Sequence, residues 1–402
     1  MMRRMRALFT VQPAAGHLHP LVPVTRALSD AGHVVAVASG ASFRPEVEAF
    51  GLEHLDAGLD WLMADRSTYG EFPPMPPPGP EFPAWVVLAL ADITTRWMVP
   101  DLTAVAGRWR PDLIIREGME YGGCIAAEVL GIPHASVAGN AYAALDSPDI
   151  NYFPGNRLMV AEPLARHRDQ FGLPPDPDVE MPFRHLHMCF TPPAWDGASV
   201  PRPRNTRFLR HTSTVSPGAR LPEWVERLPD RPTVFASLGT VFNKTPGVLE
   251  AIVEALAEEP VNVVVSIGRD EDPGRFGRLP DHVRLEAYVP QVLLLASCAA
   301  FITHGGFNSV KEALSEGVPM VVVPISADQP YSAERCAALG LARTVGAEER
   351  HAATIRDALR AVLAEPSYGA KARAFQAEMM ALPGPEQVVE LLERLTQNSA
   401  RQ

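Results

Sequence analysis

The stretch from Ala299 to Tyr331, AAFITHGGFNSVKEALSEGVPMVVVPISADQPY, leaves little choice of fold. Ala299 to Thr303 reads as a buried strand, and Val310, Ala313 and Leu314 mark one helix face. Met320 to Pro324 reads as a second buried strand. Strand, helix and strand in roughly 30 residues make a crossover unit that joins parallel neighbours of one sheet. His304, Gly305 and Gly306 stand at the first turn. A strand that breaks through glycines onto a helix N-terminus builds an anion site, with backbone N–H groups and the positive helix end facing outward together. His304 adds a ring donor, Glu312 projects one turn further along, and Asp328-Gln329 offers carboxylate and amide to hydroxyl groups. Phosphate donors beside polyol acceptors point to a nucleotide-sugar site. Ser309 and Glu312 alone would also fit a capping box, which needs no ligand.

The same alternation of strand and helix occurs twice. Strands are expected at Arg6 to Val11, Val34 to Ala38, Leu113 to Arg116 and His134 to Ala138 in the first half. In the second they fall at Thr233 to Leu238, Val261 to Ile267, Val283 to Tyr288, Ala299 to Thr303 and Met320 to Pro324. Near-continuous apolar strands between amphipathic helices imply parallel sheets covered on both faces, an α/β chain of two Rossmann-like domains. Neither half has a G-x-G-x-x-G turn after its first strand, which argues against a dinucleotide enzyme.

The chain has 402 residues, enough for two domains; 47% are hydrophobic and 21% charged. A net charge of −11 argues against nucleic acid or an anionic membrane as partner. No apolar stretch reaching the ~18 residues of a membrane span is evident. The basic head and short apolar run of MMRRMRALFTVQPAAGHL read as a first strand, not a signal peptide. Cys124, Cys189, Cys298 and Cys336 lack metal-ligand spacing, so reduced thiols and a cytoplasmic location are expected. Of the 40 prolines, one cluster at 73 to 83 reads as part of a mobile polyproline-like loop at 65 to 83. A second, at 174 to 204, reads as an irregular segment leading to a linker. Two D-x-D triplets, Asp176-Pro177-Asp178 and Asp270-Glu271-Asp272, read as solvated turns, so no metal site is expected.

Taken in order, Tyr288-Val289-Pro290-Gln291, His304-Gly305-Gly306, Asn308-Ser309, Glu312, Gly317-Val318-Pro319 and Asp328-Gln329 resemble the donor signature of the family-one glycosyltransferases of GT-B fold. In particular the chain looks like the bacterial enzymes that glycosylate macrolides, enediynes, aromatic polyketides and flavonoids. The resemblance implies two facing Rossmann-like domains and a last helix that crosses back. It implies an acceptor domain at 1–215, with its linker from about 195, a nucleotide-sugar domain at 216–382, and the returning helix at 383–402. It implies donor contacts from Thr240, Tyr288, Val289, Gln291, His304, Gly305, Gly306, Asn308, Ser309, Glu312, Asp328 and Gln329.

A second signature, Gly16-His17-Leu18-His19-Pro20, follows the first strand, and His17 stands where the family carries its catalytic histidine. A general base is what an acceptor hydroxyl needs, and imidazole titrates near the working pH. The family's orienting carboxylate falls at Glu117, with Glu120 as the alternative. The aromatic and apolar residues Trp61, Phe72, Phe82, Trp85, Met119 and Phe153 are candidates for an acceptor pocket or for core. The expected activity is inverting transfer of a sugar from a UDP- or dTDP-sugar to a hydrophobic small molecule, without metal or cofactor, by a monomer or homodimer. An epimerase of the same fold and a silent activator of a partner transferase are the alternatives.

Overall fold

The structure, a computed structural model, describes residues 4–77, 79–138, 157–197, 202–241, 244–269 and 271–399. The chain divides into two compact units, Met1–Thr214 with Leu382–Gln402, and Val215–Ala381.

The first unit holds a seven-stranded parallel sheet of β1 (Arg6–Thr10), β2 (Val34–Ser39), β3 (Glu53–Asp56), β4 (Leu113–Glu117), β5 (His134–Val137), β6 (Leu186–Cys189) and β7 (Thr206–Phe208). Their order in space is β3-β2-β1-β4-β5-β6-β7. Side chains alternate across the pleat, so the partners Phe9 and Ile115 enter one core and Leu8 and Ile114 the other. The helix Glu386–Ser399 closes the first of these cores: Val388 and Leu392 are fully buried there, and Glu393 meets His33 at 3.2 Å.

The second unit is built alike on β8 (Thr233–Ser237), β9 (Asn262–Ser266), β10 (Val283–Glu286), β11 (Ala300–Thr303), β12 (Met320–Val322) and β13 (Ala342–Thr344). Their order is β10-β9-β8-β11-β12-β13. Phe235 and Phe301 are cross-strand partners with rings stacked at 5.2 Å. In both sheets the winding reverses at the first strand, between β1 and β4 and between β8 and β11. Open parallel sheets hold their ligands in the crevice beyond the strand ends at such a reversal.

Several expectations need correction. Strands β3, β6, β7 and β13 were not foreseen, and β6 places the proline-rich segment partly in the sheet. A continuous helix at Phe82–Trp109 is long and apolar enough to cross a membrane by length and composition, at 28 residues. It packs as a core helix instead: Ala91, Met98, Val99, Leu102 and Val105 lie in the second core of the first unit. Its turn at Leu88–Ile93 is π-helical. Aromatic rings pack within the stretch that carries the loop expected to be mobile. Trp61 is 2% exposed and packs on Phe72 at 4.7 Å and Tyr69 at 5.4 Å. Tyr69 donates to the Met63 carbonyl at 2.6 Å, and the Trp85 indole to that of Pro73 at 2.9 Å.

Candidate active site

Glu117 ends β4 and His17 lies just beyond β1, so the reversal of the first sheet brings them together. His17 sits in one helical turn, Ala15–Leu18, that stops before Pro20; the longer helix begins only at Val22. Its Nδ1 lies 2.9 Å from Glu117 Oε2, and Glu117 Oε1 accepts the Met119 N–H at 2.8 Å. The carboxylate is fully buried and the imidazole 18% exposed. Nδ1 is thus the ring nitrogen turned to Glu117, and Nε2 is the other.

Glu120, the alternative partner, is engaged elsewhere. Its carboxyl accepts from the Thr10 hydroxyl and from the Gly123 N–H, and burial raises its pKa. His19 turns its ring edge-on to Phe50 at 5.6 Å, and burial lowers its pKa to about 4. Of the expected acceptor residues, Trp61, Phe72, Phe82 and Trp85 form one aromatic cluster with Tyr69, which sequence reasoning had passed over. Met119 is buried beside the His17 site, its carbonyl accepting from Gln12 at 3.2 Å. Phe153 lies outside the described residues.

In the second unit, the loops after β8 and β11 meet around His304. The ring lies between two glycines: a Cβ on Gly239 would stand 2.8 Å from Cε1, and one on Gly306 2.4 Å from Nε2. Only the bare backbone lets the loops close so tightly. His304 is 9% exposed, and burial lowers its pKa to about 4 against an opposing hydrogen bond to the Ser237 backbone. The imidazole is therefore neutral near pH 7. Gly305 has φ +86°, and a Cβ there would strike Val322.

The helix Phe307–Ser315 follows with Gly306 at its N-cap and no side-chain cap. Ser309 and Glu312 thus form no capping box. Both accept from the Gln291 amide, Glu312 at 2.6 Å and Ser309 at 3.3 Å. Burial raises the Glu312 pKa to about 7, opposed by that hydrogen bond and by Lys311. Asn308 is half-buried at the same helix start. Thr240 is exposed in the turn after Gly239, and the rest of that loop, Phe242 and Asn243, lies outside the described residues. Tyr288 is 48% exposed with the Arg269 guanidinium 4.8 Å over its ring, so one π-face is already occupied. Val289 buries its side chain, leaving only its backbone to offer.

Gln329 departs from expectation. Its amide oxygen accepts the N–H groups of Ile325 at 2.7 Å and Ser326 at 3.0 Å, and it is 2% exposed. It fastens its own loop, which is bent by Ala327 at φ +57°, while Asp328 stays half-buried beside it. Asp272 caps a short turn through the Gly274 N–H, and Asp176 holds the Glu180 and Met181 N–H groups. Asp270 lies outside the described residues.

Residues 85–152 match the family described as erythromycin biosynthesis protein CIII-like, N-terminal domain, and residues 250–395 its C-terminal domain. The chain is 30% identical to aklavinone 7-beta-L-rhodosaminyltransferase of Streptomyces galilaeus, covering 99% of this chain and 97% of that one. It is 32% identical to L-demethylnoviosyl transferase of Streptomyces niveus, covering 96% and 97%. Among solved structures, glycosyltransferase VinC in complex with dTDP has TM-score 0.79 at 29% identity, covering 98% of this chain and 100% of that one. Streptomyces sp. SF2575 glycosyltransferase SsfS6, complexed with thymidine diphosphate, has TM-score 0.76 at 26% identity, covering 97% and 100%.

Proposed function

Since the chain belongs to the GT-B family of natural-product glycosyltransferases that draw on nucleotide sugars, we propose that it is an inverting enzyme with His17 as general base. The single observation that carries this reading is the 2.9 Å contact between His17 Nδ1 and the buried Glu117 carboxylate at the sheet reversal. Nε2 takes the proton of an acceptor hydroxyl, and the oxygen attacks the anomeric carbon. The bond from that carbon to the diphosphate breaks, and the nucleoside diphosphate leaves. Glu117 fixes the tautomer and stabilises the imidazolium that forms. One displacement inverts the anomeric centre.

The donor we propose is a dTDP-sugar. Support comes from the two relatives held with thymidine diphosphate, each more than 25% identical. Relatives named for rhodosaminyl and demethylnoviosyl transfer support a modified hexose. The neutral His304 ring and the uncapped helix start would take up the charge that grows on the leaving diphosphate. These groups need no metal, so turnover should survive EDTA. An apolar small molecule bearing a hydroxyl is the acceptor class.

The test is a thermal-shift panel of dTDP- and UDP-sugars, followed by product stereochemistry. A ligand at a hundred times its dissociation constant adds ~2.7 kcal/mol, which is readily seen. A β-linked product from an α-linked donor is expected. Retention of configuration, or loss of turnover in EDTA restored by a divalent cation, would overturn the mechanism.

A further inference from the structure

Arg116 is fully buried on β4, next to Glu117, in a strand whose other members are apolar or face the site. A guanidinium withdrawn from water costs several kcal/mol unless its donors are satisfied. Here Nη1 and Nη2 donate to backbone carbonyls, while among the described residues the buried Nε has no partner. Nη1 donates to Gly118 at 2.7 Å, Glu117 at 3.1 Å and Glu120 at 3.2 Å; Nη2 donates to Pro182 at 2.8 Å. Its plane lies near the rings of Tyr121 and Phe183.

Three of those carbonyls belong to one tight turn, closed by Glu120 N–H to the Glu117 carbonyl at 3.1 Å. Residues 117 to 120 are all buried, so water cannot satisfy their backbone. From the far side Gln12 holds the Met119 carbonyl at 3.2 Å and Thr94 at 3.0 Å. This turn supplies both the Glu117 carboxylate and the Met119 N–H that aims it.

We propose that Arg116 is a positioning residue for the His17–Glu117 pair: its guanidinium gathers the carbonyls of the 117–120 turn and so sets where the carboxylate meets the imidazole. The inference rests on the reading of His17 as base. A planar fork can serve several carbonyls at once, which an ammonium on a flexible stem does not reproduce. Misplacing a catalytic group by 1 Å can cost about 100-fold, so a distant clamp of this kind has kinetic weight.

The test compares two acceptors, with the dTDP-sugar that gives turnover in the panel above as donor. Phenol ionises at about pH 10 and needs a base, whereas 4-nitrophenol gives up its proton with little help. In Arg116→Met, kcat on phenol should fall ~10–100-fold while kcat on 4-nitrophenol and the KM for donor stay within about threefold. A role in folding alone would lower both acceptors together. Arg116→Lys should lie between. An unchanged phenol-to-nitrophenol ratio in a folded Arg116→Met overturns the proposal. If that variant does not fold, Arg116→Lys decides: a ratio reduced at least about threefold supports it, and the wild-type ratio overturns it. His17→Ala runs alongside. If its ratio collapses while that of the Arg116 variant does not, only the present inference fails. If its own ratio is unchanged, the base reading fails and this one with it.

Discussion

His17 and His304 both follow a core strand at the reversal of a parallel sheet, yet their surroundings make them different reagents. His17 keeps part of its ring exposed and has a carboxylate at Nδ1, the setting of a group that must take a proton and carry charge. His304 has no carboxylate among the groups that shift it. It is pressed between two glycines, and burial holds its pKa at about 4. On the proposed mechanism the first changes protonation state and the second keeps one. A histidine's role is therefore written in its neighbours.

The contrast breaks first at His17. His17→Ala should lose roughly 10²–10⁴ in turnover on a non-acidic alcohol, while a dTDP-sugar binds as before. Turnover within about threefold of wild type on that acceptor would remove the distinction altogether.

His304→Ala comes next. One hydrogen bond to a charged group is worth ~1.5–3 kcal/mol, so dTDP-sugar binding should weaken about 10–150-fold, with turnover falling too. Calorimetry with dTDP alone checks it, and unchanged affinity would mean that the ring does not face the diphosphate.

A smaller effect isolates the glycine clasp. Gly306 has φ −56°, so alanine suits its backbone, and the close contact a Cβ would make is with the His304 ring. Gly306→Ala should weaken the same ligand by about 3–10-fold through the displaced ring. The double variant with His304→Ala should bind no worse than His304→Ala alone; additive losses would place the effect of Gly306 elsewhere.

The smallest expected effect is a pH response that His304 does not cause. A group with its folded pKa near 4 stays neutral above about pH 5, so its share of dTDP-sugar affinity is flat from about pH 6 to about pH 8. Glu312, pushed up to about 7, loses its proton within that window as pH rises. Any step in affinity near neutrality should vanish in Glu312→Gln. A step that persists there and disappears in His304→Ala would reverse the assignment of the two groups.

What was legible in the sequence is what repeats along a line. The central strands read directly because burial on both faces makes them continuously apolar, as in Val263, Val264 and Val265. The missed strands are short. Two are polar, with Glu53 and Asp56 bounding β3 and Arg207 central to β7, and β6 lay inside a proline-rich stretch. The long helix was obscured by Pro100 and by its π turn, both tolerated because the flanking residues are packed. Within the site, residue identities were readable but side-chain direction was not. Asp328-Gln329 looks like a pair of outward ligands until backbone N–H groups claim the amide. Arg116 looked like the end of a strand, because nothing in sequence shows three carbonyls turning towards one guanidinium.

The returning helix Glu386–Ser399 makes the first unit discontinuous in the chain. During synthesis the second unit leaves the ribosome entire, while the first still lacks the residues that cover its core. Until Val388 and Leu392 emerge, that apolar surface stands open to solvent and to chaperones. Recombination meets the same constraint. A hybrid joined once near Thr214 would give the first unit a foreign closing helix, so an exchange needs a second junction near Leu382.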